Sequence, residues 1–202
     1  MIIETGFEQG SDEWLSSRMK SVGSTGVSNI ITTKGVRSKS RDDYLISKAS
    51  KIITGREKTL YPTYDLKWGH EFEPESRDIF EFTTGIKLDQ CAMIFFDENR
   101  NWHISPDGFN LKKEIGWETK CPQLKEFMAT VSGDKLPTKH IIQVQSSLAL
   151  TGWKKWYFQS YFPGLKPFII EVERDEKLIS IIKAEVRIFN RDLNKLIEEL
   201  KH

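Results

Sequence analysis

Apolar and polar residues recur along this chain with two different periods. The first part is helical. "SDEWLSSRMK" reads as a short helix from Ser11, with acids in its first turn, and "STGVSNIIT" as a second helix start after a glycine-rich turn. "KGVRSKSR" (34–41), with four cations, two serines and one glycine, reads as a loop. "RDDYLISKASKIITG" has apolar residues at 45, 46, 49, 52 and 53 and stops at Gly55, the pattern of a helix with a glycine C-cap. "DLKWGHEFEPESRDIFEFTTG" predicts a longer helix ending near Gly85. Pro74 inside it requires either a restart, with Pro74 near a first turn, or a kink.

The period then changes. "IKLDQCAMIFFDE" and "NWHIS" read as strands, followed by "GFNL" and "EIGWETKC" with a turn around "KK". "QLKEFMATV" predicts a short helix, and "TKHIIQVQSSLALTG", apolar at 141, 142, 144, 148 and 150, a mostly buried one. "KKWYFQSYF" and "PFIIEVE" are strands, and "DEKLISIIKAEVRIFNRDLNKLIEELK" is a long amphipathic helix. This order predicts an α/β fold with a mixed central sheet flanked by helices. At 202 residues, one domain spanning 1–202 is expected.

Composition changes little in that picture. The net charge of +1 does not advertise nucleic acid, so any basic surface must be local. Cys91 and Cys121 are too few for a disulfide scaffold and lack metal spacing, which fits a reducing cytosol. "MIIETGFEQGSDEW" is not a signal peptide, and no stretch approaches the roughly 18 apolar residues of a membrane span.

One stretch does not fit a purely structural role. In "SPDGFNLKKEIGWETKCP", Asp107 follows a turn, and Glu118 and Lys120 stand at i and i+2 in an apolar-flanked strand, on one face. If the two strands pair as a hairpin, Asp107 and Glu118 approach closely. Two carboxylates, with the Thr119 carbonyl available between Glu118 and Lys120, suit a hard cation such as Mg²⁺. A lysine beside that cation can orient or deprotonate water for in-line attack on a phosphodiester, if its pKa falls well below its usual value of about 10.4. Alone, the pattern equally describes a surface hairpin with a salt bridge.

"SPDG", "WETKCP", "WGHEFEPESRDIFEFTTG" and "IIQVQSSLALTG", with "QGSDEWLSSRMKSVGSTGVS" upstream, occur in the order seen in the lambda-type phage alkaline exonucleases. The chain resembles that family, part of the PD-(D/E)xK superfamily, over roughly residues 6 to 190. The resemblance implies a restriction-endonuclease-like core. It also implies Mg²⁺-dependent (Mn²⁺ possible) 5′-to-3′ digestion of one strand from double-stranded DNA ends to mononucleotides, leaving 3′ single-stranded tails. A homotrimer ring threaded by DNA, a single-strand annealing protein as partner and the bacterial host cytoplasm come with it.

By position, Asp107 and Glu118 resemble the family's metal carboxylates, with the Thr119 carbonyl as a further ligand, and Lys120 its catalytic lysine. Glu73 resembles the helix glutamate that reaches the metal, and Gln143 the glutamine that positions phosphate or water. Arg18 resembles the arginine of a 5′-phosphate pocket; the family's serine falls on Thr25, and Ser24 or Ser28 can share its role. Read from residues alone, Arg18 can simply cap carbonyls, Glu73 can belong to a solvated face and Gln143 can be a structural hydrogen-bonder. The His70 and Glu71 pair lacks zinc spacing. Trp68, the cations of 34–41, and Lys154 and Lys155 are further candidates for DNA contact. Another nuclease of the superfamily, an endonuclease, and a non-catalytic DNA-end binder are the rival readings.

Overall fold

Helix boundaries follow the periodicity closely. The computed structural model describes residues 1–56 and 63–200. β1 (Ile2–Glu4) precedes α1 (Asp12–Lys20), whose N-cap Ser11 accepts a hydrogen bond from the Trp14 amide. β2 (Val22–Gly23) leads into a 3₁₀ helix (Ser24–Asn29), so the second expected helix start is one short 3₁₀ segment. α2 (Arg41–Thr54) stops at Gly55, whose φ of 62° is the left-handed conformation that glycine adopts without strain. α3 (Tyr64–Thr84) runs as one helix with Pro74 in its interior rather than at a first turn. Pro74 has no N–H, so the His70 carbonyl lacks its usual i+4 donor.

Next come β3 (Met93–Phe95), β4 (Trp102–Ile104), β5 (Gly108–Asn110) and β6 (Ile115–Lys120). The predicted first strand is shorter than its sequence reading: of residues 86–90, only Asp89 forms a bridge, to Phe109. α4 (Leu124–Gly133), α5 (Thr138–Thr151), β7 (Lys155–Ser160), β8 (Phe168–Glu173) and α6 (Glu176–Glu199) complete the chain. Lys201, the last residue of the predicted final helix, lies outside the described residues.

The mixed α/β class holds, with the strands divided between two mixed sheets rather than one. One sheet has the order β1-β3-β4-β2, the other β5-β6-β7-β8. In the second, β6 pairs antiparallel with β5 and parallel with β7. The main core forms where α5 and α6 pack on the sheets. α6 contributes Leu178, Ile182, Val186, Phe189 and Leu193, one stripe at helical spacing. A smaller core of Phe80, Ile86, Ile115 and Trp117 lies under α3.

β6 is therefore covered on both faces. Trp117 and Thr119 point to α3: Trp117 packs against Phe80, tilted by 42° with ring centroids 5.5 Å apart, and the Thr119 hydroxyl meets Ser76 at 2.6 Å. Glu118 and Lys120 point to the α5 side. Gly116 is required on that face, because a Cβ there would collide with the Trp156 ring. Among the described residues no helix is long and apolar enough to cross a membrane.

Candidate active site

The β5–β6 register brings the acids together. Gly108 pairs with Trp117, and one further step sets Asp107 opposite Glu118. Asp107 Oδ2 accepts the Thr119 N–H at 2.7 Å. In an extended strand a residue's N–H and C=O point to the same side, so the Thr119 carbonyl is also turned toward Asp107. The next carbonyl, Lys120, faces the other way and accepts the Tyr161 amide at 2.9 Å.

Glu118 is buried, and one of its oxygens, Oε1, gathers two donors. The Lys120 ammonium bonds it directly, and Gln143 Nε2 of α5 donates to it at 2.6 Å. From α3, Glu73 and Arg77 approach the opposite side. Arg77 Nη2 donates to the Asp107 carbonyl at 2.6 Å and lies 3.9 Å from Glu73 Oε1. A cavity of about 330 Å³ opens here, lined among others by His70, Glu73, Asp107, Lys120, Glu126 and His140.

The electrostatics follow from this crowding. Burial and the neighbouring Glu118 raise the Asp107 pKa well above the ordinary carboxylate range. Burial alone would lower Lys120, but Glu118 and Asp107 outweigh it and raise its pKa, so the lysine stays protonated among these carboxylates. His140 is pushed down to about 4 by burial, with Lys120 and Lys139 adding to the effect, and is neutral at pH 7. Cys121 is a buried small residue whose thiol is pushed up to about 11 by burial.

The donor set suits a hard divalent cation. Asp107, Glu118 and the Thr119 carbonyl offer oxygen donors from one strand end, and the mutual strain of two buried carboxylates is what a divalent ion relieves. Among the described residues no three His, Cys, Asp or Glu side chains form a closed metal cage, so bound water would supply the remaining ligands, as Mg²⁺ prefers.

A second cavity, of about 230 Å³, holds the other predicted cluster. Arg18, Thr25, Gly26, Tyr44, Lys48 and Lys51 line it. The Arg18 guanidinium lies over the Trp14 ring, 4.2 Å from its centroid, and Lys48 donates to the Arg18 carbonyl at 2.7 Å. His103 borders it, bonded to Ser21 Oγ at 2.5 Å; burial, then Arg18 and Lys48, lower its pKa well below normal. Three basic side chains thus line one small polar cavity in a chain of net charge +1.

The YqaJ-like viral recombinase domain matches residues 13–154, a span that holds the residues lining both cavities, with Glu118 and Gln143. The chain belongs to the YqaJ-like viral recombinase family. YqaJ of Bacillus subtilis (strain 168) is 25% identical over 200 residues, covering 94% of this chain; the chain spans 58% of that relative's length. The alkaline exonuclease LHK-Exo from Laribacter hongkongensis superposes with a TM-score of 0.85 and 28% identity, over 95% of this chain and 96% of that one. Its complex with dAMP gives a TM-score of 0.84. A phage-related exonuclease from Haemophilus somnus 129PT shares the fold, with a TM-score of 0.65 at 15% identity over 89% of this chain and 96% of that one. The family match and the alkaline-exonuclease fold bear out the resemblance read from the motifs.

In this family member the sequence-read residues fall into two groups. Asp107, Glu118, Thr119, Lys120, Glu73 and Gln143 meet at the end of β6. Arg18 and Thr25 meet at the second cavity, whereas Ser24 is buried and does not line it. Ser28 turns its hydroxyl to the Thr25 carbonyl, 2.8 Å away.

The cations of 34–41 divide, with Lys34 and Lys39 exposed and Arg37 and Arg41 meeting carboxylates of α6. Arg41 is buried and pairs with Asp192 at 2.6 Å, and Arg37 pairs with Glu185 at 2.8 Å, so α6 carboxylates hold both. Lys154 and Lys155 likewise pair with Glu114 and Glu171. Trp68 packs among Tyr64, Phe72 and Phe162.

Sequence reasoning missed Arg77, His140, Lys48 and Lys51. Arg77 carried a usable signal, standing at i+4 from Glu73 on the same helix face. His140, three residues before Gln143, carried a similar one.

Proposed function

We propose that this protein is a DNA exonuclease that digests one strand of linear duplex DNA from 5′-phosphorylated ends, in the 5′-to-3′ direction, to mononucleotides. The observation that carries this reading is the convergence of Lys120 and Gln143 on one Glu118 oxygen, with Asp107 across the strand pair and an anion cavity elsewhere on the same chain. Asp107, Glu118 and the Thr119 carbonyl would hold Mg²⁺ (or Mn²⁺ in its place), with Glu73 reaching the site from α3. The bound cation supplies Lewis-acid stabilisation of charge on the phosphate and the leaving oxygen. Lys120 orients and deprotonates the attacking water, Gln143 positions water or phosphate, and Arg18 with Thr25 holds the terminal 5′-phosphate.

Charge coupling sets the state of Lys120. While it bonds Glu118 it is protonated. A divalent ion drawing on Asp107 and Glu118 would weaken the pull that raises Lys120, and burial would then act to lower it. A trimeric ring, a partner protein that anneals the single-stranded product and action in a bacterial host cytoplasm complete the reading.

The test is incubation with Mg²⁺ and linear duplex DNA, 5′-phosphorylated or 5′-hydroxyl, beside closed circular DNA and a Lys120→Ala control. Nucleotide release from linear DNA alone, faster with the phosphate and lost in the variant, is expected. Cutting of the circle would make the protein an endonuclease. Binding to ends without digestion would make it a non-catalytic end binder.

A further inference from the structure

Resting on that reading of the carboxylates as a cation site, we infer that Arg77 is its positioning residue. Arg77 fixes the Asp107 turn and the Glu73 side chain relative to each other, and so sets the spacing of the oxygens that meet the ion. One nitrogen, Nη2, reaches both partners: the Asp107 carbonyl at 2.6 Å and Glu73 Oε1 at 3.9 Å.

Asp107 needs such an anchor. It lies between β4 and β5, just outside both strands. Its carboxylate is held from β6 by the Thr119 amide, and its carbonyl from α3 by Arg77. With one bond from each neighbouring element, the residue has little freedom to turn. Arg77 is itself held in place. Its side chain is only 16% exposed, and its guanidinium lies 5.8 Å from the centroid of Trp117, a fully buried ring of β6.

The choice of partner atom matters. Arg77 binds a carbonyl of Asp107 and not its carboxylate, so it does not compete with a cation for the acid's oxygens. Lys120 does the opposite and occupies a Glu118 oxygen. The longer approach to Glu73, at the outer limit of an ion pair, restrains that carboxylate while leaving it able to turn into the cavity it lines. Arginine suits the role because its flat guanidinium can lie against the Trp117 ring while Nη2 reaches both partners, a placement that a compact, strongly hydrated ammonium does not reproduce.

The experiment titrates Mn²⁺ into the protein without DNA and follows free Mn²⁺ by electron paramagnetic resonance. Melting curves are recorded for wild type, Asp107→Asn, Arg77→Met and Arg77→Lys. Asp107→Asn loses the site, and Arg77→Met weakens Mn²⁺ affinity by about 10–100-fold, the range for residues that orient metal ligands. Arg77→Lys weakens it by a smaller factor. A purely structural arginine would lower the melting midpoint and leave the Mn²⁺ affinity of the folded protein within about twofold of wild type, and that result overturns the inference. Should Arg77→Met not fold, Arg77→Lys decides on the same criterion. If wild type binds no Mn²⁺, or Asp107→Asn binds it as wild type does, the reading of the carboxylates as a cation site fails, and the role of Arg77 falls with it.

Discussion

The two candidate sites of this molecule are built in opposite ways. The carboxylate site stands at the end of a buried strand, and its side chains are tied to one another: Lys120 and Gln143 to Glu118, Thr119 to Asp107, Arg77 to the Asp107 carbonyl. The cavity lined by Arg18, Lys48 and Lys51 is assembled from α1, the 3₁₀ helix and α2, around a guanidinium that rests on Trp14. The first concentrates negative charge where water is scarce and holds it in a strained protonation state. The second gathers positive charge on helices. A site that must orient a reacting water needs fixed geometry, and a site that must only hold a terminal phosphate needs charge and donors. In the proposed reading, chemistry belongs to the first and end recognition to the second.

Lys120→Ala should make the largest difference between them. Digestion of linear duplex falls by about 10²–10⁴-fold, the usual contribution of a positioned acid–base group, while binding to 5′-phosphorylated ends persists. Equal loss of binding and digestion would break the division of labour. Arg18→Ala should do the converse. It erases the preference for 5′-phosphate over 5′-hydroxyl ends, by roughly 10–100-fold if one charge-assisted hydrogen bond of about 1.5–3 kcal/mol is lost, read as the ratio of initial rates on the two substrates.

Stability separates the two regions further. Under β6, Gln159 donates to the Ser76 carbonyl and hydroxyl at 2.8 Å each and accepts from the Trp117 indole at 3.3 Å. Gln159→Leu leaves the Trp117 indole N–H buried without its partner and removes two bonds to Ser76, and should cost about 1–3 kcal/mol in urea unfolding.

Asp107→Asn should instead stabilise the metal-free protein at neutral pH. The folded state raises the Asp107 pKa, so its favourable contribution is complete below the unfolded value of about 3.9 and is lost as pH rises through the higher folded value. The variant's gain in melting midpoint therefore appears at pH 7 and vanishes on acidification. A lower midpoint at pH 7 would mean that the buried carboxylates are not in conflict. The smallest effect belongs to the hydroxyls: Thr25→Ala should reduce the phosphate preference by a few-fold, about 1 kcal/mol for a hydrogen bond, and Ser24→Ala should leave it unchanged.

The chain's local pattern determined much of this protein. Helix and strand positions followed from periodicity, and Gly55 and Gly85 marked helix ends because the left-handed turn favours glycine. The spacing of Asp107, Glu118 and Lys120 made a hairpin with two facing acids the natural reading, and the register bears it out. Residues three or four apart on a helix, or two apart on a strand, share a face whatever the rest of the chain does.

Only the tertiary structure decided which distant groups meet. Gln143 reaches Glu118 across 25 residues, and Gln159 reaches Ser76 across 83. The same holds for Arg41, whose basic context suggested a nucleic-acid contact until α6 supplied Asp192, 151 residues away. Sequence periodicity reports which side of an element is buried. It carries no information about which element covers that side, and for buried polar groups the covering element determines whether a charge is paired, strained or free to do chemistry.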